Sequence, residues 1–480
     1  MRRARESDQP LHDLPQDHAL IRNPCHRITR RAILVAPWAA CAWAAPAQPA
    51  ACPQGPRRPF GDMIGLGVKF SQGQPLRELD SLLELRVRWV RDAVHWPQIE
   101  PAPGRYAEFS APFLNQLAFY RRHDIGVVAL LTLGNPLSYP GGAAAPYDPE
   151  AFGRFALQVA RQLRAAGVRF VLEIGNEPHN SGFAKALGGA WNGRAPSPWV
   201  DHYVRMVHAA GDQVKAFDAS IKLISDDDMW VLHYWFLKAG LPPALDGFAI
   251  HPYTPGPPER TAVAHDTDWT RPFSVVDPDR SFASAVRRLR EAGRERLACA
   301  PEIWITEWGW AVGPGSVAHA VADETLAAYL PRAFVLAAAA GVEVMCWFSA
   351  QDSVDGPMGL TRNDGTRRAS YQAFRTLTAQ LGDHHLVRQA AGAATPAAGL
   401  QAFVFDGPRG RKLVVWSADG QARRLPWTPG EGAEHGVDAV GRPVSLLTTP
   451  QRAVAIEAAP VYLSLDRSDA DIDARLAAAA

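Results

Sequence analysis

From about Met63 to Phe374, short runs of apolar and β-branched residues alternate with longer stretches in which apolar positions recur every three or four residues. This alternation predicts parallel strands joined by crossover helices. Eight candidate strands can be read: MIGLGVKF from Met63, VRWVRDAVHW from Val87, IGVVALLTLG from Ile125, RFVLEIGNE from Arg169, SIKLISDD from Ser220, DGFAIHPY from Asp246, EIWITEWGW from Glu302 and EVMCWFSAQ from Glu343. Eight strands are enough to close a barrel. An α/β chain is therefore expected, with a (β/α)8 TIM barrel over residues 58–380. AFGRFALQVARQLRAAG, before strand four, and ETLAAYLPRAFVLAAAAG, before strand eight, are amphipathic helices that each stop at Gly. After the helix beginning near Ser370 the texture changes to short strands between Gly/Pro-rich turns: LQAFVFD, RKLVVWSA, VSLLTT and VYLSL. A small sandwich-like C-terminal all-β domain is expected over 385–466, with 467–480 as a flexible tail.

The first fifty residues have a different character. A polar, Arg/His-rich opening leads to Arg30-Arg31, the apolar run AILVAPWAACAWAA and the small-residue stretch APAQPAA. That order predicts an export signal over residues 1–51. The apolar run is short for a membrane span and contains Ala-x-Ala sites such as Ala42-Trp43-Ala44, so cleavage is expected, with no transmembrane segment in the mature chain and a periplasmic or extracellular destination. The twin arginine admits Tat as well as Sec export. Of the five cysteines, Cys25 and Cys41 would leave with the signal and Cys52, Cys299 and Cys346 would remain. With three left and one of them unpaired, at most one disulfide is expected, and the spacing gives no zinc or redox pattern.

With 47% hydrophobic and 21% charged residues over 480 positions, the chain has material for a large core. A net charge of +1 offers no concentrated basic face, so a nucleic-acid partner is not expected. Chemistry in a parallel barrel sits where the strands end. Strand four runs into Asn176-Glu177-Pro178 and strand seven into Thr306-Glu307-Trp308-Gly309, one carboxylate on each side of the barrel mouth. Cleavage of a glycosidic bond needs such a pair. One carboxyl protonates the leaving oxygen while the other attacks the anomeric carbon, and retention requires the two to be roughly 5 to 5.5 Å apart.

VLEIGNEPHN resembles the acid/base motif, and WITEWGW the nucleophile motif, of the clan A glycoside hydrolases. VRDAVHWPQIEPAPGRY is similar to the clan's Arg-bearing second strand with its following turn, and resembles most the glycoside hydrolase family 39 and related bacterial exopolysaccharide hydrolases. His251-Pro252-Tyr253 on strand six, Trp347 on strand eight and the segment GLTRNDGTRRASYQAF also match, so the resemblance covers the whole barrel. It implies a retaining hydrolase of β-linked O-glycosidic bonds acting on a polysaccharide or glycoside, with bacterial exopolysaccharide a candidate. Glu177 would be the acid/base and Glu307 the nucleophile. Asn176 would bond the sugar 2-hydroxyl, Arg91 and Tyr253 would contact Glu307, His251 and Tyr253 would orient the nucleophile, and Trp347 would stack on the sugar. The acid/base must begin protonated, so apolar or like-charged surroundings are expected for Glu177. Gly175 departs from the pattern, since many clan members have an aromatic there.

Competing readings are transglycosylation by the same glutamates and a glycan-binding protein without turnover. A metal-dependent hydrolase is disfavoured because MIGLGVKF lacks a His pair. No metal or other cofactor and a monomeric protein are expected. Glu173 is read as the structural partner of an arginine, and Asp226-Asp227-Asp228 as an acidic strand end. Of Trp96, Trp230, Trp308, Trp310 and Trp347, about half are expected to touch substrate. Trp416, Trp427 and Tyr462 form no exposed platform pattern, and the β domain is expected to brace the barrel.

Overall fold

The computed structural model describes residues 58–480 apart from 75–77, 181, 190–197, 229, 261–268, 274–279, 314–319, 391–398, 428–435, 445–452 and 480. The expected export signal and Cys52 lie outside the described residues. All eight expected strands form, in chain order, one closed parallel barrel: β1 Ile64–Gly67, β2 Trp89–Val94, β3 Gly126–Leu131, β4 Phe170–Ile174, β5 Lys222–Asp227, β6 Gly247–Ile250, β7 Glu302–Trp308 and β8 Val344–Trp347. Each occupies part of its apolar run. The ends of the runs supply the loops at the barrel mouth.

Side chains alternate between the two faces of a strand. Trp89, Val128, Val171, Ile224, Ala249, Trp304, Val344 and Cys346 point inward and pack as a separate apolar plug, with Trp89 and Trp304 edge to face at 5.1 Å. Two residues further along β2, β4, β5 and β6 the inward positions become Arg91, Glu173, Asp226 and His251. A dry floor thus lies beneath a polar layer.

The outward strand positions pack under the helices. The helix Pro149–Ala166 begins where the Asp148 side chain accepts from Ala151 N and ends at Gly167, whose φ of 69° suits a residue without a side chain. Its buried face, Phe152, Phe155, Ala156, Val159, Ala160 and Leu163, recurs at helical spacing. Each large side chain so buried contributes about 1.5–3 kcal/mol. Gly153 lets this helix lie close to the helix Pro198–Phe217: a Cβ there would stand 2.6 Å from Ala209 O.

Beyond the helix Ala369–Leu381, strands β9 His385–Gln389, β10 Leu400–Gly407, β11 Gly410–Ser417, β12 Arg423–Pro426, β13 Gly436–Val437, β14 Ala453–Ile456 and β15 Val461–Leu465 form two antiparallel sheets. One has the order β13-β15-β11-β10-β9, and the other pairs β12 with β14. The expected strand VSLLTT falls mostly outside the described residues. The larger sheet buries both faces. Phe403, Phe405, Val414, Trp416 and Tyr462 join the barrel core, while Val404, Leu413, Val415 and Leu463 pack into a second core.

One expectation is corrected here. Residues Asp469–Ala479 are a helix, not a loose tail, because Ile472, Leu476 and Ala479 fall on one face and are buried in that second core. Cys346 is free and buried whereas Cys299 is disulfide-bonded, so the two do not pair with each other. Among the described residues no helix is long and apolar enough to cross a membrane.

Candidate active site

A cleft of ≈ 580 Å³ opens at the C-terminal ends of the strands, lined by Arg91, Asn176, Glu177, Tyr253, Glu307 and Phe348 among others. A somewhat larger hollow of ≈ 690 Å³ lies at the opposite end, around Trp89 and Trp304. Its arginines and lysine are mostly paired with carboxylates, as in Arg58–Glu343 at 2.7 Å, Arg88–Asp124 at 2.9 Å and Lys222–Glu302 at 2.6 Å. It contains neither of the two glutamates.

Arg91 organises one wall of the cleft. Its Nε and Nη2 donate to the two oxygens of Glu173 at 2.7 and 3.1 Å, Nη2 also donates to Asn176 Oδ1 at 2.8 Å, and Nη1 donates to Glu307 Oε1. The expected arginine partner of Glu173 is therefore Arg91. This fork holds three side chains, Glu173 on β4, Asn176 just beyond it and Glu307 on β7, a task for which a guanidinium is suited. With its oxygen engaged, Asn176 has its amide N–H groups to offer to a ligand. Tyr253 Oη donates to Glu307 Oε2 at 2.9 Å, so each oxygen of Glu307 has a donor. Burial and the Glu307 charge hold the Tyr253 phenol well above its usual range, so it remains a donor.

Local backbone shape brings both glutamates into the cleft. Along β7 the parity that turns Trp304 and Thr306 inward would turn Glu307 outward. The pairing with β8 shifts between Ile305 and Trp308, and that irregularity re-aims Glu307. After β4 the chain turns through Gly175 at φ 81° and Glu177 at φ 43°. The left-handed conformation is uncommon for a residue with a side chain. At Glu177 it is held by the N–H of that residue, which donates to Asp226 Oδ2 at 2.7 Å.

His251 differs from the role that the resemblance implies. Its Nδ1 lies 2.7 Å from Glu177 Oε1 and 3.9 Å from Glu307 Oε2, so its hydrogen bond goes to the expected acid/base and not to the nucleophile. Its Nε2 lies 2.9 Å from Thr306 Oγ1 and 3.3 Å from Asp226 Oδ1. A Glu177 oxygen and a Glu307 oxygen, with a His251 ring nitrogen between them, all lie within 4.8 Å of one another.

The electrostatics also correct an expectation. Burial acts to raise the Glu177 carboxyl, but the hydrogen bond and charge of His251, followed by Asn180 and His179, outweigh it and bring it to about 2. Glu177 is thus neither in apolar nor in like-charged surroundings: its carboxylate is favoured by the imidazolium of His251 beside it. Burial opposes the charge on His251 too, but Asp226, Glu307, Glu173 and Glu177 raise it well above the usual range. Glu173, against Arg91 and His251, is lowered to about 2 despite its burial. Asp226 moves the other way, since burial raises it well above a normal aspartate even though His251 and Arg91 act against the rise.

Trp347 is placed differently from the reading that it stacks on a sugar. On β8 the residues Val344 and Cys346 point inward, so Trp347 points outward, fully buried and 5.9 Å from Trp310. Phe348 lines the cleft in its place. The other four tryptophans named above are also buried, and none lines the cleft. Asp228 from the acidic strand end lines it too, as do Lys69, Asp92 and Asp355, which no motif in the sequence marks. Lys69 pairs with Asp355 and lies 5.2 Å from the Phe348 ring centroid, and burial lowers its ammonium. A strand-end or loop lysine carries no pattern that would have marked it.

Comparison with known proteins agrees on the fold. No family model and no curated protein sequence matches the chain. Among solved structures it is similar to a family 39 glycoside hydrolase from Bacteroides cellulosilyticus WH2, with TM-score 0.63 and 19% identity over 85% of this chain and 81% of the other. It is also similar to a GH39 enzyme from Xanthomonas axonopodis pv. citri, with TM-score 0.55 and 15% identity over 85% and 94% of the two chains. A family 30 subfamily 8 xylanase from Clostridium acetobutylicum gives TM-score 0.53 and 12% identity over 83% and 95%. The resemblance to clan A glycoside hydrolases read from the motifs is thus matched by an independent likeness in fold.

Proposed function

We propose that this protein is a retaining glycoside hydrolase that cleaves a β-linked O-glycosidic bond in a polysaccharide or glycoside. The observation that carries the reading is the approach of Glu177 and Glu307 across an open cleft, with oxygens within 4.8 Å. That separation suits direct attack on carbon, whereas inversion needs a gap of about 6.5–9.5 Å to admit a water.

Glu307, held by Arg91 and Tyr253, attacks the anomeric carbon while Glu177 gives its proton to the leaving oxygen. The bond to the leaving group breaks and a glycosyl ester on Glu307 forms. Glu177, now ionised, takes a proton from water, and the hydroxide displaces Glu307 with a second inversion. Asn176 offers its N–H to the sugar 2-hydroxyl, where the bond strengthens as positive charge builds on the ring. The proton that Glu177 needs is at hand on His251 Nδ1, 2.7 Å away.

The substrate is a carbohydrate in this reading, bacterial exopolysaccharide among the candidates, and the protein is exported. The test compares the wild type with Glu177→Ala and Glu307→Ala on aryl glycosides and follows the anomer formed first by NMR. Retention, with Glu177→Ala active only on strongly activated leaving groups and Glu307→Ala inactive, supports the proposal. An inverted product, equal loss in both variants, or binding without turnover on every glycan overturns it.

A further inference from the structure

Asp226 is fully buried and is not needed by the two-glutamate scheme, yet both its oxygens face that machinery. Oδ2 accepts the Glu177 N–H at 2.7 Å, and Oδ1 stands 3.3 Å from His251 Nε2. Its own N–H donates to Tyr203 Oη at 2.9 Å, whose hydroxyl in turn donates to Ile174 O at 2.6 Å. One carboxyl therefore touches the acid/base through its backbone and, through an imidazole, through its side chain.

We propose that Asp226 is a positioning residue for proton delivery: it fixes the strained Glu177 backbone with one oxygen and, with the other, faces the Nε2 side of His251 as an ion-pair partner at 3.3 Å, while Thr306 takes the hydrogen bond there, so that Nδ1 is the nitrogen that exchanges a proton with Glu177. The inference rests on Glu177 being the acid/base. Thr306 Oγ1, 2.9 Å from Nε2, assists by marking that nitrogen as the engaged one. The proton balance closes. As substrate enters, the Nδ1 proton crosses to Glu177 Oε1 and the imidazole becomes neutral with its hydrogen on Nε2, facing Asp226 and Thr306. Glu177 passes the proton to the leaving oxygen. In the second half-reaction it takes one from water and returns it to Nδ1.

The charged and titratable groups around this chain come from every neighbouring strand. Glu173 on β4 lies 3.9 Å from His251 Nε2, Glu307 on β7 lies 3.9 Å from Nδ1, and Arg91 on β2 neutralises both glutamates. Asp227 and Asp228 beside Asp226 on the β5 end pair with His179, and His233 Nε2 donates to Asp227 O at 3.2 Å. Asp226 Oδ1, at 3.3 Å, is nearer to His251 Nε2 than Glu173 is at 3.9 Å, and its negative charge, although burial opposes it, favours the imidazolium. Removing its acid should let the His251–Glu177 couple lose its proton at lower pH.

Asp226→Asn keeps an oxygen for the Glu177 N–H and removes the acid. On full-length protein the basic limb of kcat/KM should move down by about one pH unit, and activity on poorly activated aryl glycosides should fall about tenfold or more, with little loss on a dinitrophenyl glycoside. Thr306→Val, which leaves Asp226 in place, should move the same limb in the same direction by less, and it serves as the reading if Asp226→Asn does not fold. A wild-type pH profile and leaving-group dependence in the folded variants would overturn the inference. Glu177→Ala in parallel keeps the two readings apart: selective loss on poor leaving groups in that variant, with no shift on altering Asp226, rejects only the positioning role.

Discussion

Arg91 and Tyr253 bind opposite oxygens of Glu307, the arginine at Oε1 and the phenol at Oε2 at 2.9 Å, so both oxygens of the carboxylate are held by donors. The two donors differ in how much else depends on them. Tyr253 has Glu307 as its hydrogen-bond acceptor, whereas Arg91 also carries Glu173 and Asn176.

Tyr253→Phe should therefore act on catalysis with little effect on folding. Loss of one preorganised donor is expected to lower kcat by about 10–100-fold while KM stays within a few-fold. Arg91→Met should act on both, because it leaves two buried carboxylates without their cation. Breaking such a buried pair costs about 3–5 kcal/mol. Steady-state kinetics with urea unfolding of both variants separates the outcomes. A Tyr253→Phe enzyme with wild-type kcat would remove the tyrosine from the nucleophile's support.

Phe348 and Trp347 make a second contrast, between a residue facing the cleft and its neighbour facing the core. Phe348→Leu nearly conserves volume but removes the flat aromatic face, so KM should rise several-fold at a stability cost under about 1.5 kcal/mol. Trp347→Ala opens a cavity beside Trp310 and should cost about 3–5 kcal/mol, with kcat/KM per folded molecule close to wild type. The opposite result, with substrate affinity following Trp347, would return that residue to the cleft.

This pair also marks what was legible in the sequence and what was not. The eight strands could be read because parallel barrel strands are buried on both faces and appear as apolar runs, and both glutamates interrupt such runs where they end. Facing direction was harder. Parity needs an exact strand start, and at β7 a register shift between Ile305 and Trp308 breaks parity just where Glu307 lies. Trp347 was misplaced by one residue for the same reason: aromatic type marks a platform only if its face is known. Asp226 reads in the sequence only as part of an acidic strand end, because its partners, Glu177 and His251, come from other strands and no local pattern joins them. The helix Asp469–Ala479 was hidden by its polar start and poly-Ala end, though Ile472 and Leu476 are one turn apart.

The β domain is fastened to the barrel by buried charge. Arg332 donates from Nε to Glu259 Oε1 at 2.9 Å and from Nη2 to Glu259 Oε2 at 2.5 Å, Trp416 Nε1 donates to Glu259 Oε1 at 2.7 Å, and Arg332 Nη1 reaches Ala458 O at 3.2 Å. Glu259 and Arg332 are 2% and 1% exposed, so salt should screen the pair little. Glu259→Leu strands a buried guanidinium and should cost about 3–5 kcal/mol; adding Arg332→Met should recover part of that loss. Urea midpoints for the two singles and the double test this. Strictly additive losses would mean that the two side chains do not act as a unit.

His179 gives the fold a defined response to alkali. Its Nδ1 lies 2.6 Å from Asp227 Oδ1 and 3.2 Å from Asp228 Oδ1, on the loop that carries Glu177. Burial works against the imidazolium, but Asp227, Asp228 and Glu177 outweigh it and raise the group from 6.5 to about 9. Burial and the neighbouring carboxylates Asp227 and Glu177 also raise Asp228, to about 8. A group raised on folding stabilises fully below its unfolded value and loses that contribution as pH climbs through the folded one. For His179 the contribution is complete below 6.5 and is lost as pH passes about 9, an amount on the order of 3 kcal/mol for an isolated site. Melting temperature should therefore fall as pH rises across that window in the wild type. In His179→Asn, which can still donate to Asp227 but cannot titrate, the fall should be shallower and the midpoint at pH 6 lower. Identical pH dependence in the two proteins would show that this cluster does not govern alkaline stability.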